Sequence, residues 1–286
     1  MGKLDYSIHS IDIQGLTIQF SNIPPVLTDC SFQFNAGKTY LLTGTTASGK
    51  STLLKFLNGI IPLFYPAKIY GSLKINNEEV TLKEFISKRF QIGYLFQDPP
   101  LQVIGSTVER DIAFGLENLA LPSAEIHHRI KEIAETLDIT SLLPKVVTEL
   151  SGGEIALVAL ASIMVLKPKI LLLDEFTAFL DFEARKRVIS AVKKIQDEKR
   201  IIIIVSHHLN ELLPNVDEVM VLDEGKIIVQ APKKNFITKH YSQIKNRLRV
   251  PDIFPVGMEL LKARNMDPRF ETRTELGHLL RRESLD

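Results

Sequence analysis

Cysteine is almost missing from this chain, long apolar runs are missing altogether, and neither sign of charge dominates. Cys30 is the only cysteine among 286 residues. No intrachain disulfide or cysteine-rich metal site can therefore form, and such sparing use suits a reducing cytosol. The longest apolar windows, residues 155–166 and 201–205, fall short of the roughly 20 residues a bilayer span needs. The opening MGKLDYSIHS has no apolar core of a signal peptide. A soluble or peripheral chain is expected, one that needs a partner for any work in a membrane. Lys and Arg number 35 against 34 Asp and Glu, a net charge of +1. That balance argues against wholesale binding to nucleic acid, which usually shows as a strongly basic domain. There is no internal repeat, low-complexity tract or heptad arm.

What is present suffices for a sizeable core. Hydrophobic residues make up 45% of the chain, enough for one large or two modest domains. IDIQGLTIQF (11–20) and SFQFN (31–35) alternate apolar and polar residues and predict short strands. KTYLLTG (38–44) predicts a buried strand, and the helix after it stops near Gly59. KIYGSLKINNEEV (68–80) predicts a hairpin turning at Asn76-Asn77. From about Val108 to Leu150 the period becomes helical, with Ser123 as a cap. Helix 152–166, strand KILLLDE, helix 182–196 and strand RIIIIVS then alternate. Continuous apolar strands separated by helices predict a parallel sheet covered on both faces. From about Phe236 the character changes. Residues 232–249 hold six Lys or Arg and no acid, which suits anionic lipid headgroups or simply a solvated face, and a further helical pattern follows.

GTTASGKST comprises Gly44, Thr45, Thr46, Ala47, Ser48, Gly49, Lys50, Ser51 and Thr52. It satisfies G-x-x-x-x-G-K-[ST] between a predicted strand and a predicted helix. Glycines let the loop turn its backbone N–H groups onto phosphate oxygens. Lys50 would bridge the β- and γ-phosphates, and the Ser51 hydroxyl would ligate Mg²⁺. The bare pattern arises by chance in roughly one chain of this length in a hundred.

Phosphate chemistry also needs an acid for the metal and a group for the attacking water. ILLLDE supplies both at the end of a strand: Asp174 for Mg²⁺ and Glu175 for the water. His207, after RIIIIVS begins to turn, is placed to reach the γ-phosphate or to cap the strand. Gln97 in LFQDPP offers an amide to Mg²⁺ or the lytic water, or merely opens a turn before Pro99-Pro100.

Taken in order, these residues resemble the ATP-binding cassette (ABC) ATPase family over roughly residues 10–230. The resemblance rests on the phosphate loop, Gln97, LSGGE (150–154), ILLLDE, AFLD ending in Asp181, and SHH with His207. It implies an α/β P-loop NTPase with a RecA-like core and an N-terminal antiparallel β subdomain. A helical signature subdomain at about 98–165 would follow, within a nucleotide-binding domain of residues 8–235, then a helical extension at 236–286. It implies ATP and Mg²⁺ as cofactors and Phe20 as either an adenine-stacking ring or a strand core residue. It also implies a head-to-tail dimer of cassettes. Ser151, Gly152 and Gly153 of one chain would then face the ATP held by the other through the positive end of their helix.

Some residues depart from the family pattern. Glu154 stands where Gln is commonest, Ile155-Ala156-Leu157 where polar and basic residues are frequent, His208 where Asp is usual, and Phe179 where a small residue is usual. The expectation is a heterodimer with unequal sites, in which this chain's own ATP site is competent and the site using its signature is weaker.

Residues 96–118, FQDPPLQVIGSTVERDIAFGLEN, and the tail RVPDIFPVGMELLKARNMD resemble the energy-coupling-factor and cobalt-type importer ATPases. That group implies a second ABC ATPase, an integral membrane transmembrane subunit and a substrate-binding membrane subunit. It further implies a place on the cytoplasmic face of the cell membrane and a vitamin or transition-metal cargo. The alternatives are the ATPase of another ABC importer or exporter, and a soluble ABC protein acting on ribosomes or DNA.

Overall fold

A computed structural model describes residues 8–234, 236–248, 250, 253–263, 270 and 275–276. Strands β1 (Ser10–Phe20) and β2 (Leu27–Asn35) form an antiparallel pair. Their alternation sends Ile11, Ile13, Leu16, Ile18, Phe32 and Phe34 into the core. Strand β3 (Thr39–Gly44) is buried along its whole length and leads to α1 (Lys50–Leu57) and α2 (Ile60–Leu63). The hairpin of β4 (Ala67–Ile75) and β5 (Glu78–Val80) turns at Asn76 and Asn77, as expected. Both asparagines have positive φ, 54° and 66°, the geometry a two-residue hairpin turn demands. Helix α3 (Leu82–Ser87) begins with a reciprocal capping box between Thr81 and Glu84. Strand β6 (Ile92–Leu95) follows.

The helical region contains α4 (Val108–Asn118), α5 (Ser123–Thr136) and α6 (Gly152–Met164). Ser123 does not cap α5. Extended Pro122 occupies the cap position without a side-chain bond, and Ser123 is already helical. A hydroxyl caps only from the extended residue before the first turn, and here proline has taken that place. Beyond α6 come β7 (Ile170–Asp174), α7 (Phe182–Ile195), β8 (Ile201–Val205), α8 (Leu209–Leu212), β9 (Glu218–Asp223) and β10 (Lys226–Pro232). Helices α9 (Phe236–Ile244) and α10 (Ile253–Ala263) form the described part of the tail. The helical pattern expected further on falls mostly outside the described residues.

Two sheets result, ordered β2-β1-β4-β5 and β10-β9-β3-β8-β7-β6. The second is parallel from β9 through β6, with β10 antiparallel at its edge. Its strands read as unbroken apolar runs because both faces are covered. Tyr40, Leu42, Leu172, Ile203 and Met220 join the core beneath the antiparallel sheet. Their neighbours Leu41, Leu171, Leu173, Ile202 and Val221 join the core shared with the helices. The two-residue period of a strand thus divides one sequence between two cores. Phe236, Ile244, Phe254, Met258 and Leu261 of the tail are buried in the same core as the helical region.

Leu172 is fully buried in the central layer. Leu172→Ala is expected to cost about 2–5 kcal/mol, read as a lower urea midpoint with an unchanged slope. An unchanged midpoint would refute this account of the layer.

Candidate functional site

The parallel strands β3, β7 and β8 end at one edge of the sheet, and the chemistry gathers there. Gly44 ends β3 at φ 146°, and a Cβ on it would lie 1.8 Å from the Leu222 carbonyl oxygen. Only glycine fits so close to another backbone. Gly49, at φ 104°, precedes α1, and its Cβ would meet a Leu27 methyl at 2.6 Å. Between these glycines, Thr46 and Ala47 are exposed while Ser48 is buried. The loop therefore delivers the chain into the N-terminal end of α1, where unpaired N–H groups favour an anion.

Lys50 opens that helix and is only 5% exposed. Its Nζ donates to the carbonyls of Thr45 (2.7 Å) and Gly44 (3.3 Å) and lies 3.5 Å from Ser48 Oγ. Burial lowers the pKa of the ammonium below its ordinary value, and the charges of Glu175 and Asp174 oppose that shift. Asp174, 4% exposed at the end of β7, accepts from Ser51 Oγ at 3.2 Å and from the Tyr94 hydroxyl at 2.8 Å. Burial nevertheless pushes its carboxyl above the usual range. Tyr94 is pushed up as well, chiefly by burial and then by Asp174. A buried carboxylate in that condition gains from a cation.

Among the described residues no group of three or more His, Cys, Asp or Glu is placed to hold a metal. Ser51 and Asp174 nevertheless offer hard oxygen donors. Mg²⁺ typically takes one or two protein ligands and completes its shell with water and phosphate oxygens. The donor set fits that ion.

Glu175 follows at φ 43°, a left-handed conformation that is uncommon for a residue with a side chain. Its amide donates to the Val205 carbonyl at 3.0 Å, tying the end of β7 to β8. Its Oε1 lies 3.1 Å from Nε2 of His207, which is exposed. Glu175, expected to handle the water, and His207, expected to reach the γ-phosphate or cap its strand, thus stand side by side.

Gln97 is exposed on the loop after β6, and among the described residues it makes no hydrogen bond to Ser51 or Asp174. The neighbouring Gln102 secures the loop instead, donating to the Tyr94 carbonyl (2.9 Å) and accepting from the Phe96 amide (3.1 Å). Phe20 is half-buried at the end of β1, against the core of the antiparallel sheet. Ser151 and Gly152 are exposed at the start of α6, apart from the phosphate loop in their contacts: Gly153 abuts Ala184 and Gly152 abuts Leu180. Ser151 caps α6 in a reciprocal box with Glu154, whose Oε2 accepts from the Ser151 amide (2.8 Å) and hydroxyl (2.9 Å). Those two bonds, backbone first, hold the Glu154 carboxyl below the usual range. Lys145 approaches the same carboxylate at 3.5 Å.

Three contacts of this site escape a reading of the sequence. Tyr94 lies inside a short strand and nothing in its surroundings marks its reach to Asp174. Thr45 donates to Asp223 at 2.8 Å, and Arg247, just past α9, donates to the other oxygen of the same carboxylate. That arginine holds Asp223 below its ordinary range. The tail thereby meets the phosphate loop through one side chain.

A glycine loop opening a helix, a buried lysine and a strand-ending Asp-Glu pair define a P-loop nucleotide hydrolase, and the exposed LSGGE helix makes it an ATP-binding cassette. The profile of the family described as ABC transporter matches residues 27–178. The energy-coupling factor transporter ATP-binding protein EcfA of Enterococcus faecium is 34% identical over 259 residues, 90% of each chain. EcfA2 of Caldanaerobacter subterraneus subsp. tengcongensis is 37% identical over 82% of each chain. CbiO1 of Clostridium perfringens, described as part of the ABC transporter complex CbiONQ, superimposes with a TM-score of 0.73. It is 28% identical over 84% of this chain and 97% of that one. The chain belongs to the ABC transporter ATP-binding family, within its energy-coupling-factor and cobalt-type group, and it binds and hydrolyses ATP.

Gly44→Ala is expected to abolish binding of a fluorescent ATP analogue while circular dichroism stays close to that of the parent. Binding within twofold of the parent would overturn the close-approach argument.

Proposed function

We propose that this chain is one of two ATPase cassettes powering a membrane importer of the energy-coupling-factor type, with a vitamin or a transition-metal ion as cargo. The observation that carries this is that the phosphate loop and the exposed start of the LSGGE helix stand apart within one chain. Lys50, Asp174, Glu175 and His207 gather at the sheet edge, while Ser151 exposes a second helix end elsewhere. A dimer of cassettes would bring the two together. Lys50 neutralises phosphate charge. Ser51 and Asp174, with Gln97 once its loop closes, would hold Mg²⁺, which supplies charge stabilisation along the phosphate chain when bound. Glu175 orients or deprotonates the attacking water, and His207 steadies Glu175 and meets the γ-phosphate. Phe20 offers a ring to adenine.

A membrane partner is supported by the apolar surface around the Gln97 loop. Phe96, Leu101, Ile104, Phe114 and Leu119, all within residues 96–119, are exposed, and exposed apolar surface of this kind suits an interaction site. Among the described residues no helix is long and apolar enough to cross a membrane, so the reading is peripheral attachment through membrane subunits on the cytoplasmic side. The partners would be a second ABC ATPase, a transmembrane subunit and a substrate-binding membrane subunit, with no nucleic acid. Relatives named as ATP-binding proteins of energy-coupling factor transporters, and a CbiO1 described as part of a transporter complex, support attachment to a membrane transporter.

Co-purification tests the transporter reading: the tagged chain, extracted from native membranes in mild detergent, should bring down a second ABC ATPase and small helical membrane proteins. Recovery of ribosomes, DNA-repair proteins or no membrane protein would refute it. For the chemistry, Glu175→Gln should cut turnover roughly 10²- to 10⁴-fold and trap an ATP-bound dimer on size exclusion. The matching change in the partner cassette should cost less, because that site depends on Ser151 with Glu154 beside it. Equal losses would remove the claim of unequal sites.

A further inference from the structure

His207 does not stand alone, for its neighbour His208 is held by an arginine from another helix. Arg185, in the first turn of α7, uses one amino group, Nη2, to donate to the Leu180 carbonyl at 2.9 Å. Its other, Nη1, reaches Glu211 Oε1 at 2.9 Å and His208 Nδ1 at 3.3 Å. A guanidinium only donates. His208 must therefore accept through Nδ1, which requires a neutral ring with its proton on Nε2. The His208 amide also donates to Ser206 Oγ at 3.0 Å, which fixes the backbone on either side of His207.

We propose that Arg185 is a positioning residue for ATP hydrolysis: it ties the AFLD loop to the loop of the hydrolytic histidine, and holds His207 against Glu175 only while His208 is neutral. The inference rests on the reading of Glu175 and His207 as the hydrolytic pair.

The geometry makes the junction specific. Leu180 immediately precedes Asp181, whose carboxylate caps α7 by accepting from the Ala184 amide at 2.9 Å. Gly152, at the signature, lies against the side chain of the same Leu180. One fork-shaped cation therefore spans the loop beside the signature and the loop carrying His207. A lysine has a single point of attachment and cannot reach three acceptors in this way. Arg185 and Glu211 are both largely buried, yet among the described residues Arg185 Nε and Glu211 Oε2 find no hydrogen-bond partner. Such a junction is held by the remaining bonds alone, and losing the one to His208 weakens it further.

The groups that face His208 are Arg185, Glu211, His207 and Glu175. Burial first, and then the Arg185 charge, keep its pKa below the ordinary histidine value, while Glu211 and Glu175 oppose this. The neutral, accepting form is thus the one the fold favours. Protonation would place a second cation against the guanidinium and remove the acceptor. Hydrolysis should accordingly fail on the acid side, below the ordinary histidine range, before the fold itself is lost.

The test is a set of pH–rate profiles between pH 5 and 8.5 on the full chain in its native complex. Parent, His208→Asn, Arg185→Lys and Glu175→Gln proteins are compared, and binding of a fluorescent ATP analogue is measured in parallel. Asparagine keeps an acceptor and does not titrate, so His208→Asn should retain turnover at pH 7.5 and carry its acid limb to lower pH. Arg185→Lys should lose roughly tenfold to a hundredfold in kcat with analogue binding within twofold. A His208→Asn profile that superimposes on the parent, or an Arg185→Lys enzyme with parental kcat, overturns the proposal, while loss of turnover in Glu175→Gln leaves the hydrolytic reading intact. Full turnover by Glu175→Gln overturns both.

Discussion

A lysine ammonium buried under its own backbone loop is the constraint around which the rest of this site is arranged. Lys50 is almost entirely out of water, and burial of an unpaired charge is among the costliest events in a fold. Backbone carbonyls of Gly44 and Thr45 answer part of the demand, and Asp174 and Glu175 supply negative potential nearby. None of these neutralises the charge by direct contact. In the proposed site a phosphate chain would do so, and the loop would then act as its receptor. Gly44 pressed onto Leu222, Gly49 pressed onto Leu27 and the positive φ of Ala47 serve that arrangement.

The parallel sheet places this loop and the hydrolytic residues at one edge. Every residue proposed for hydrolysis lies at or just past the end of a strand: the loop follows β3, Asp174 ends β7 with Glu175 next, and His207 comes after β8. The register pairs both Leu42 and Asp174 with Val205, so Ser51 and Asp174, 123 positions apart, come within 3.2 Å of one another. The strands pay for that rigidity by being apolar on both faces. Their alternate side chains enter two different cores, and a shift by one residue would exchange the cores and carry the catalytic ends out of line.

Much of this was legible in the residues. The phosphate loop, the Asp-Glu pair, the hairpin at Asn76-Asn77 and the alternating helices and strands are local patterns, and local patterns survive translation into structure. What was not legible is long-range and borne by single side chains. Tyr94 on Asp174, Arg247 on Asp223 and Arg185 on His208 each depend on where another element ends, and no spacing encodes that. Ser123 shows the opposite failure. Its type suits a cap, but Pro122 had already fixed the break in helical conformation one residue earlier. Gln97 sits between these cases: its loop was identifiable, while among the described residues the amide offered to Mg²⁺ or the lytic water makes no hydrogen bond to Ser51 or Asp174.

Glu154 shows how a single departure changes what a helix end can do. The positive end of α6 would attract a phosphate through the Ser151 hydroxyl and the first-turn amides. In this chain a carboxylate from the same helix has taken that role, accepting from both the amide and the hydroxyl of Ser151. An anion at a helix N-terminus is worth about 0.3–1 kcal/mol at an exposed site, and Glu154 already collects it. In the proposed dimer a γ-phosphate arriving at Ser151 must compete for that hydroxyl and tolerate a second negative charge, offset in part by Lys145. Glutamine would accept from the same amide without the charge. The helix is thus well capped as a piece of structure and poorly prepared as a phosphate receptor, which is why the inequality of the two sites is expected to lie in the signature of this chain and not in its phosphate loop.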